Sequence, residues 1–184
     1  MFRHFLVAIV LAATSVVRAN TLITLQNDCS FGVGMFVSSF PGSNNGINYS
    51  GNPSIVINAG QSTSITVPTG WSGRICDMPP GSGCENNCFG GIAFGEAACS
   101  MTEWTMDSGG LDFYDISNIQ GFSVEMNIIP SNGGCESKSC PNVGCSCTEA
   151  YAPGNTSGQC GGTGPDDEAV AACPVGASYT VVYC

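Results

Sequence analysis

The chemistry open to this chain is carboxylate chemistry. The stretch from Met101 to Pro130 carries Glu103 and an acidic pair, Asp112 and Asp115. The sequence has a single histidine, His4, inside an apolar amino-terminal run. If that run is a removed leader, no histidine remains. Ser-His-Asp and Cys-His catalytic units are then excluded, as is a zinc site that uses histidine. A lone Arg among carboxylates has a clear use: its planar guanidinium can bridge two of them and hold them close despite their repulsion. Arg74 is the arginine available for this. Carboxylates beside aromatic rings can also hydrogen-bond sugar hydroxyls while a ring covers the apolar sugar face. Trp104, Phe113 and Tyr114 flank the acids here. The bland readings are that Glu103 pairs with Arg74 for stability alone and that Asp112 or Asp115 caps a turn. We expect the turn role for Asp112, and a core position for Trp71.

Short strands must position these groups. The chain has 25 glycines and 10 prolines with short apolar runs between them, which argues against long helices. After Gly121, Phe122, Val124, Met126 and Ile128 alternate with Ser123, Glu125 and Asn127, the period of a half-buried strand. Leu22-Ile-Thr-Leu25 and Tyr179-Thr-Val-Val-Tyr183 read as strands. Ser54-Ile-Val-Ile57 and Ser64-Ile-Thr-Val67 flank Asn58-Ala-Gly-Gln-Ser62 and read as a hairpin. Glu96-Ala-Ala-Cys-Ser-Met101 is one helical turn at most. The whole predicts an all-β antiparallel sandwich. Residues 135–173 hold six of the twelve cysteines and few large apolar residues. They read as a small disulfide-rich lobe before the last strand.

Residues 1–19 read as a signal peptide. Arg3 and His4 give a basic start, an apolar run follows, and Val17-Arg18-Ala19 ends in a small residue. We expect cleavage after Ala19, a mature domain over 20–184, and secretion. Neither the leader nor any later run is long enough for a membrane span. Arg3 and Arg18 would leave with the leader, so Arg74 and Lys138 face fourteen acids at a formal charge of −12. Such a surface repels nucleic acid and anionic lipid. Twelve cysteines, an even number in a secreted chain, read as a disulfide framework: Cys29, Cys76, Cys84, Cys88, Cys99, Cys135, Cys140, Cys145, Cys147, Cys160, Cys173 and Cys184. Cys145-Ser-Cys147 looks ligand-like, but no metal is expected in an oxidising compartment. Asn48 and Asn155 open glycosylation signals, hence exposed loops.

The order of short strings resembles the thaumatin-like protein family across nearly all of 21–184. Ile23-Thr-Leu-Gln-Asn-Asp-Cys29 resembles its first strand. Ala59-Gly-Gln-Ser-Thr-Ser-Ile-Thr-Val-Pro68 resembles its Gly-led strand, and Trp71-Ser-Gly-Arg-Ile75 is a signature string. Cys84-Glu-Asn-Asn-Cys88, Asp115-Ile-Ser117, Gly134-Cys135 with Cys140, and Cys173-Pro followed by Tyr179-Thr-Val-Val-Tyr-Cys184 complete the match. The segment between Cys140 and Cys173 is short for the family, so the chain looks like a reduced, small-type member.

The resemblance implies the family's β-sandwich and the bridges Cys29–Cys184, Cys88–Cys99, Cys135–Cys173 and Cys76–Cys84. For the other four cysteines, Cys140–Cys145 with Cys147–Cys160 and Cys140–Cys147 with Cys145–Cys160 both stay open. It also implies an acidic cleft framed by one Arg, one Glu and three Asp. Arg74, Glu103 and Asp115 match by context. The next Asp falls on Gln120, and the last on Asp166 or Asp167 before Cys173. The ligand-binding set is thus Arg74, Glu103, Asp115, Asp166, Asp167 and Tyr114. The function implied is defence or host–microbe interaction by binding cell-wall β-1,3-glucan, with no cofactor and as a monomer. Two alternatives are weak endo-β-1,3-glucanase activity and inhibition of a secreted glycosidase such as a xylanase. Hydrolysis would use Glu103 as acid and Asp115 as nucleophile or base, about 5–5.5 Å apart for retention or about 6.5–9.5 Å for inversion.

Overall fold

The computed structural model describes residues 19–40, 46–77, 99–155 and 167–184. Within them the chain is a two-sheet β-sandwich without a helix. The strands are β1 (Thr21–Asn27), β2 (Val33–Ser39), β3 (Ser54–Ile57), β4 (Ser62–Val67), β5 (Ser72–Asp77) and β6 (Met101–Ser108). They continue as β7 (Leu111–Ser117), β8 (Met126–Pro130), β9 (Lys138–Cys140), β10 (Ala150–Tyr151), β11 (Ala171–Pro174) and β12 (Tyr179–Tyr183). One sheet has the order β4-β1-β12-β8-β9. The other runs β10-β7-β6-β5-β2-β3, with β11 also paired to β7. Pairing is antiparallel except for β1 with β12 and β10 with β7.

Period-two alternation builds the core, because successive side chains leave a strand on opposite faces. In β1, Ile23 and Leu25 are wholly buried while Leu22 is exposed. Tyr179, Val181 and Tyr183 of β12 and Met126 and Ile128 of β8 join them from the same sheet. Val33, Met35, Val37, Ile75, Trp104, Tyr114 and Ile116 face them from the other. Trp104, Tyr114 and Tyr179 form an aromatic cluster with ring centroids 5.2–5.7 Å apart. Trp71 is a core residue, and its Nε1 donates to Ser39 Oγ at 2.9 Å. Gly73 is required beneath it. A Cβ there would lie 2.2 Å from the Ser38 carbonyl oxygen and 2.4 Å from the Trp71 ring.

The expected hairpin over 54–67 does not form. β3 pairs with β2 in one sheet, and β4 with β1 in the other. Asn27 makes this crossing. Its Nδ2 donates to the Ile57 and Phe31 carbonyls, its backbone N–H donates to Gln61 O, and its own carbonyl accepts from Gly60 N–H. Gly60 supplies the left-handed turn at φ 70°. Turn residues look alike whether the chain reverses within a sheet or passes to the next. After Gly121 the alternation holds, with Val124, Met126 and Ile128 buried, but regular strand begins only at Met126. Ser100 Oγ accepts from the Ser123 and Val124 N–H groups and keeps them off the ladder. Of the segment 96–101 read as a helical turn, 96–98 lie outside the described residues and Met101 opens β6.

The cysteine-rich segment is laid onto both sheets. β9 extends the first beside β8, while β10 and β11 lie along β7 of the second. Disulfides join Cys29 to Cys184, Cys135 to Cys173 and Cys140 to Cys145. The last of these is one of the two pairings left open by sequence. Cys76, Cys99 and Cys147 are disulfide-bonded as well. Cys84, Cys88 and Cys160 lie outside the described residues, as does most of the expected signal peptide. Among the described residues no helix is long and apolar enough to cross a membrane.

Candidate functional site

Strand register gathers the carboxylates. Ser38 of β2 stands opposite Arg74 of β5, Arg74 opposite Glu103 of β6, and Glu103 opposite Asp115 of β7. Neighbouring strands are about 4.7–4.9 Å apart, and directly opposed Cβ atoms about 4.5–5.5 Å. Arg74, Glu103 and Asp115 therefore form one row across three strands. The row lies on the face turned away from the core, because Ile75, Trp104, Tyr114 and Ile116 take the inner face.

The same alternation corrects the aromatic assignment. Trp104 and Tyr114 are each 1 % exposed and lie under the sheet, so neither can cover a sugar at the row. Tyr114 is set by its hydroxyl, which donates to the Glu136 carbonyl. Phe113, half-buried, is the one of the three on the site's face. A ring not singled out by sequence also takes part: Phe40 lies under the Arg74 guanidinium, 4.5 Å from its carbon.

Arg74 Nη2 lies 3.8 Å from Glu103 Oε1, and both side chains are about one-fifth exposed, at 17 % and 22 %. Arg74 Nη1 also points at Met101 Sδ, 3.7 Å away. Burial raises the Glu103 carboxyl above its usual range, while Arg74 and a hydrogen bond from Ser117 pull it partly back. Asp115 is raised further. Burial is the main cause, the charges of Glu103 and Asp167 add to it, and Lys138 and Arg74 oppose it. Two facing carboxyls in a dry setting do not both ionise readily, and the better-compensated one loses its proton first. Asp115 thus carries the stronger upward shift, while Glu103 has Arg74 beside it. Asp115 Oδ1 is also fully buried and has no hydrogen-bond partner among the described residues.

The remaining residues divide clearly. Asp167 comes close to Asp115, is 2 % exposed, and accepts hydrogen bonds from Ala169 N–H and the Tyr151 hydroxyl. Asp166 lies outside the described residues. Gln120 is buried in the turn after β7 and supplies no charge. Asp112 is structural: Oδ1 accepts from Asp107 N–H, where the chain turns through φ 54°, and Oδ2 from the Tyr179 hydroxyl. Asn48 is exposed and Asn155 half-buried. Sequence reasoning missed Ser117 and Tyr151, and named Lys138 only as one of two remaining cations. Ser117 was within reach, since it lies two residues after Asp115 and so shares its face. Tyr151 reaches the row only through the pairing of β10 with β7. A cavity of about 350 Å³ lies elsewhere, lined by Thr21, Thr69, Asp112 and Ser178 among others, and includes no residue of the row.

The profile of the Thaumatin family matches residues 27–184. The chain is 30 % identical over 143 residues to "Thaumatin-like protein PWIR2" of Triticum aestivum, covering 70 % of this chain and 73 % of that one. It is 36 % identical over 97 residues to "Pathogenesis-related protein 5" of Arabidopsis thaliana, covering 47 % and 39 %. Among solved structures, the thaumatin-like xylanase inhibitor TLXI superposes with a TM-score of 0.56 at 18 % identity, covering 88 % of this chain and 98 % of that one. The protein elicitor MoHrip2 from Magnaporthe oryzae gives 0.54 at 16 % identity, covering 89 % and 98 %.

Proposed function

This chain belongs to the thaumatin family, and from that premise we propose that it is a secreted protein of defence or host–microbe interaction that binds cell-wall β-1,3-glucan through its acidic row. The defence reading is supported by relatives named as pathogenesis-related. The glucan reading is carried by one observation, the register that aligns Arg74, Glu103 and Asp115 on an outer sheet face. There Glu103, oriented by Arg74 and partly exposed, presents a carboxylate to sugar hydroxyls. Phe113 supplies an apolar surface on the same face, two residues before Asp115 on β7.

Binding is favoured over hydrolysis. A glycosidase needs both carboxyls to reach the scissile bond. Asp115 has one oxygen sealed from solvent, and Gln120 brings no further acid. The test is sedimentation with insoluble β-1,3-glucan. The wild type is expected in the pellet and Glu103→Gln in the supernatant. Wild-type protein that stays in solution, or a variant that pellets equally, overturns the reading.

A second reading is inhibition of a secreted glycosidase. It is supported by the formal charge of −12 on the leader-free chain, which suits a basic enzyme surface. Undiminished xylanase activity at saturating protein dismisses it for the enzymes assayed. Removal of residues 1–19 and glycans on Asn48 and Asn155 belong to the same secreted reading, and intact-mass measurement of the exported protein tests both.

A further inference from the structure

Lys138 is wholly buried, a rare position for an ammonium group. Its Nζ donates to Glu136 Oε1 at 2.8 Å, to the Thr148 carbonyl at 2.6 Å and to the Glu168 carbonyl at 2.8 Å. An ammonium has three donors, and all three are engaged. The acceptors come from three separate stretches: the approach to β9, the approach to β10 and the approach to β11.

Those stretches converge on one residue of β7. β11 covers β7 from Leu111 to Tyr114, and β10 covers Ile116 and Ser117. Asp115 is the position between them, where one partner strand has ended and the other has not begun. Lys138 ties the leads of both strands together at that junction. Tyr114, the residue before Asp115, is anchored to the Glu136 carbonyl beside the same lysine.

We infer that Lys138 is the internal counter-ion of the acidic row, a positioning residue that clamps β10 and β11 behind Asp115. The inference deepens the glucan reading, since it concerns the same row. Four groups act on Asp115: Arg74 from β5, Glu103 from β6, Lys138 from β9 and Asp167 from the lead into β11; Tyr151 of β10 is in turn acted on by Asp115 and bonds Asp167. With Glu136, which Lys138 binds directly, four carboxyls thus share two cations, one on the outer face and one reaching in from the interior. Arg74 serves Glu103 directly. Lys138 touches neither carboxyl of the pair in any hydrogen bond and acts on Asp115 through its field and through the strands it holds.

Removing the cation leaves Asp115 facing two acids with only Arg74 in opposition, so its proton is kept to higher pH. The experiment follows the Asp115 side-chain carboxyl by carbon NMR titration in the full protein, beside Lys138→Met and Glu136→Gln. Lys138→Met is expected to move the Asp115 midpoint upward by about one pH unit. Glu136→Gln keeps the ammonium but removes its anion, and is expected to move the midpoint downward. An unmoved midpoint in folded Lys138→Met overturns the inference, because a lysine that only packs would change stability and leave the titration alone. If Lys138→Met does not fold, Glu136→Gln decides: a downward shift supports the inference and no shift overturns it. The titration needs no ligand. A wild type that fails to bind β-1,3-glucan therefore defeats the function proposed above without touching this result.

Discussion

Replacing Cys29 and Cys184 together by alanine is expected to lower the unfolding free energy by roughly 5 kcal/mol. The bridge closes a separation of 155 residues. The chain-entropy relation for a loop of that length gives roughly 17 cal/mol/K, or roughly 5 kcal/mol at 25 °C. The folded side changes little. β1 and β12 are neighbours from Ile23↔Tyr179 to Asn27↔Tyr183, and Asp28 N–H donates to the Tyr183 carbonyl at 2.9 Å. The two ends stay side by side without the sulfur bond, so the loss belongs to the freer unfolded chain. Urea unfolding followed by the fluorescence of the buried Trp71 and Trp104 is the assay. The midpoint should fall while the dependence on urea steepens, because the opened chain exposes more surface. A loss under about 2 kcal/mol with an unchanged slope refutes the reasoning. So does hydrogen exchange showing β1 and β12 opened in the folded variant, which would place the effect in the native state.

Asp115→Asn is expected to alter how stability depends on pH. Burial, with Glu103 and Asp167, holds the Asp115 proton above the ordinary carboxylate range. The folded wild type therefore binds that proton more tightly than the unfolded chain, and it loses stability as pH rises from about 4 through the folded midpoint. The variant's stability relative to wild type should grow over that window and be flat below it; thermal unfolding from acid to neutral pH checks this, and a constant difference refutes it. Gly73→Ala should cost about 3 kcal/mol, because the added carbon meets the Ser38 backbone as well as the Trp71 ring; denaturant midpoints measure it. Tyr183→Phe should gain about 1 kcal/mol in the same assay, since the Tyr183 hydroxyl is buried without a partner among the described residues.

Local pattern made part of this protein legible. Ile23 and Leu25, Ile65 and Val67, and Tyr179 through Tyr183 announce their strands by alternation, and each lies where that alternation puts it. The chemistry of Arg74, Glu103 and Asp115 was readable from their neighbours, but their alignment was not, because register between β5, β6 and β7 is a property of paired strands. The aromatics show the opposite case. Glu103 and Trp104 are consecutive, so a strand must send them to opposite faces. The expectation that Trp104 would flank the acids overlooked this alternation. Lys138 was hidden for another reason. It sits between Cys135 and Cys140 in a stretch with little apolar content, and its burial comes from the segments folded over it. The crossing at 58–61 depends on Asn27, thirty residues from Ile57, whose carbonyl it holds.

The pairing of β12 with β1 has a consequence for biosynthesis. The third strand of the five-stranded sheet is made from residues 179–183, which are synthesised after all four other strands of that sheet. Until they emerge, β1 and β8 have no strand between them, and the apolar faces of Ile23, Leu25, Met126 and Ile128 lack Val181 and its two flanking tyrosines. The sheet thus stays incomplete until residues 179–183 have emerged. Contacts of such long sequence separation also fold slowly. A nascent or carboxyl-truncated chain would present two unfilled strand edges and depend on chaperones to keep them apart from other chains.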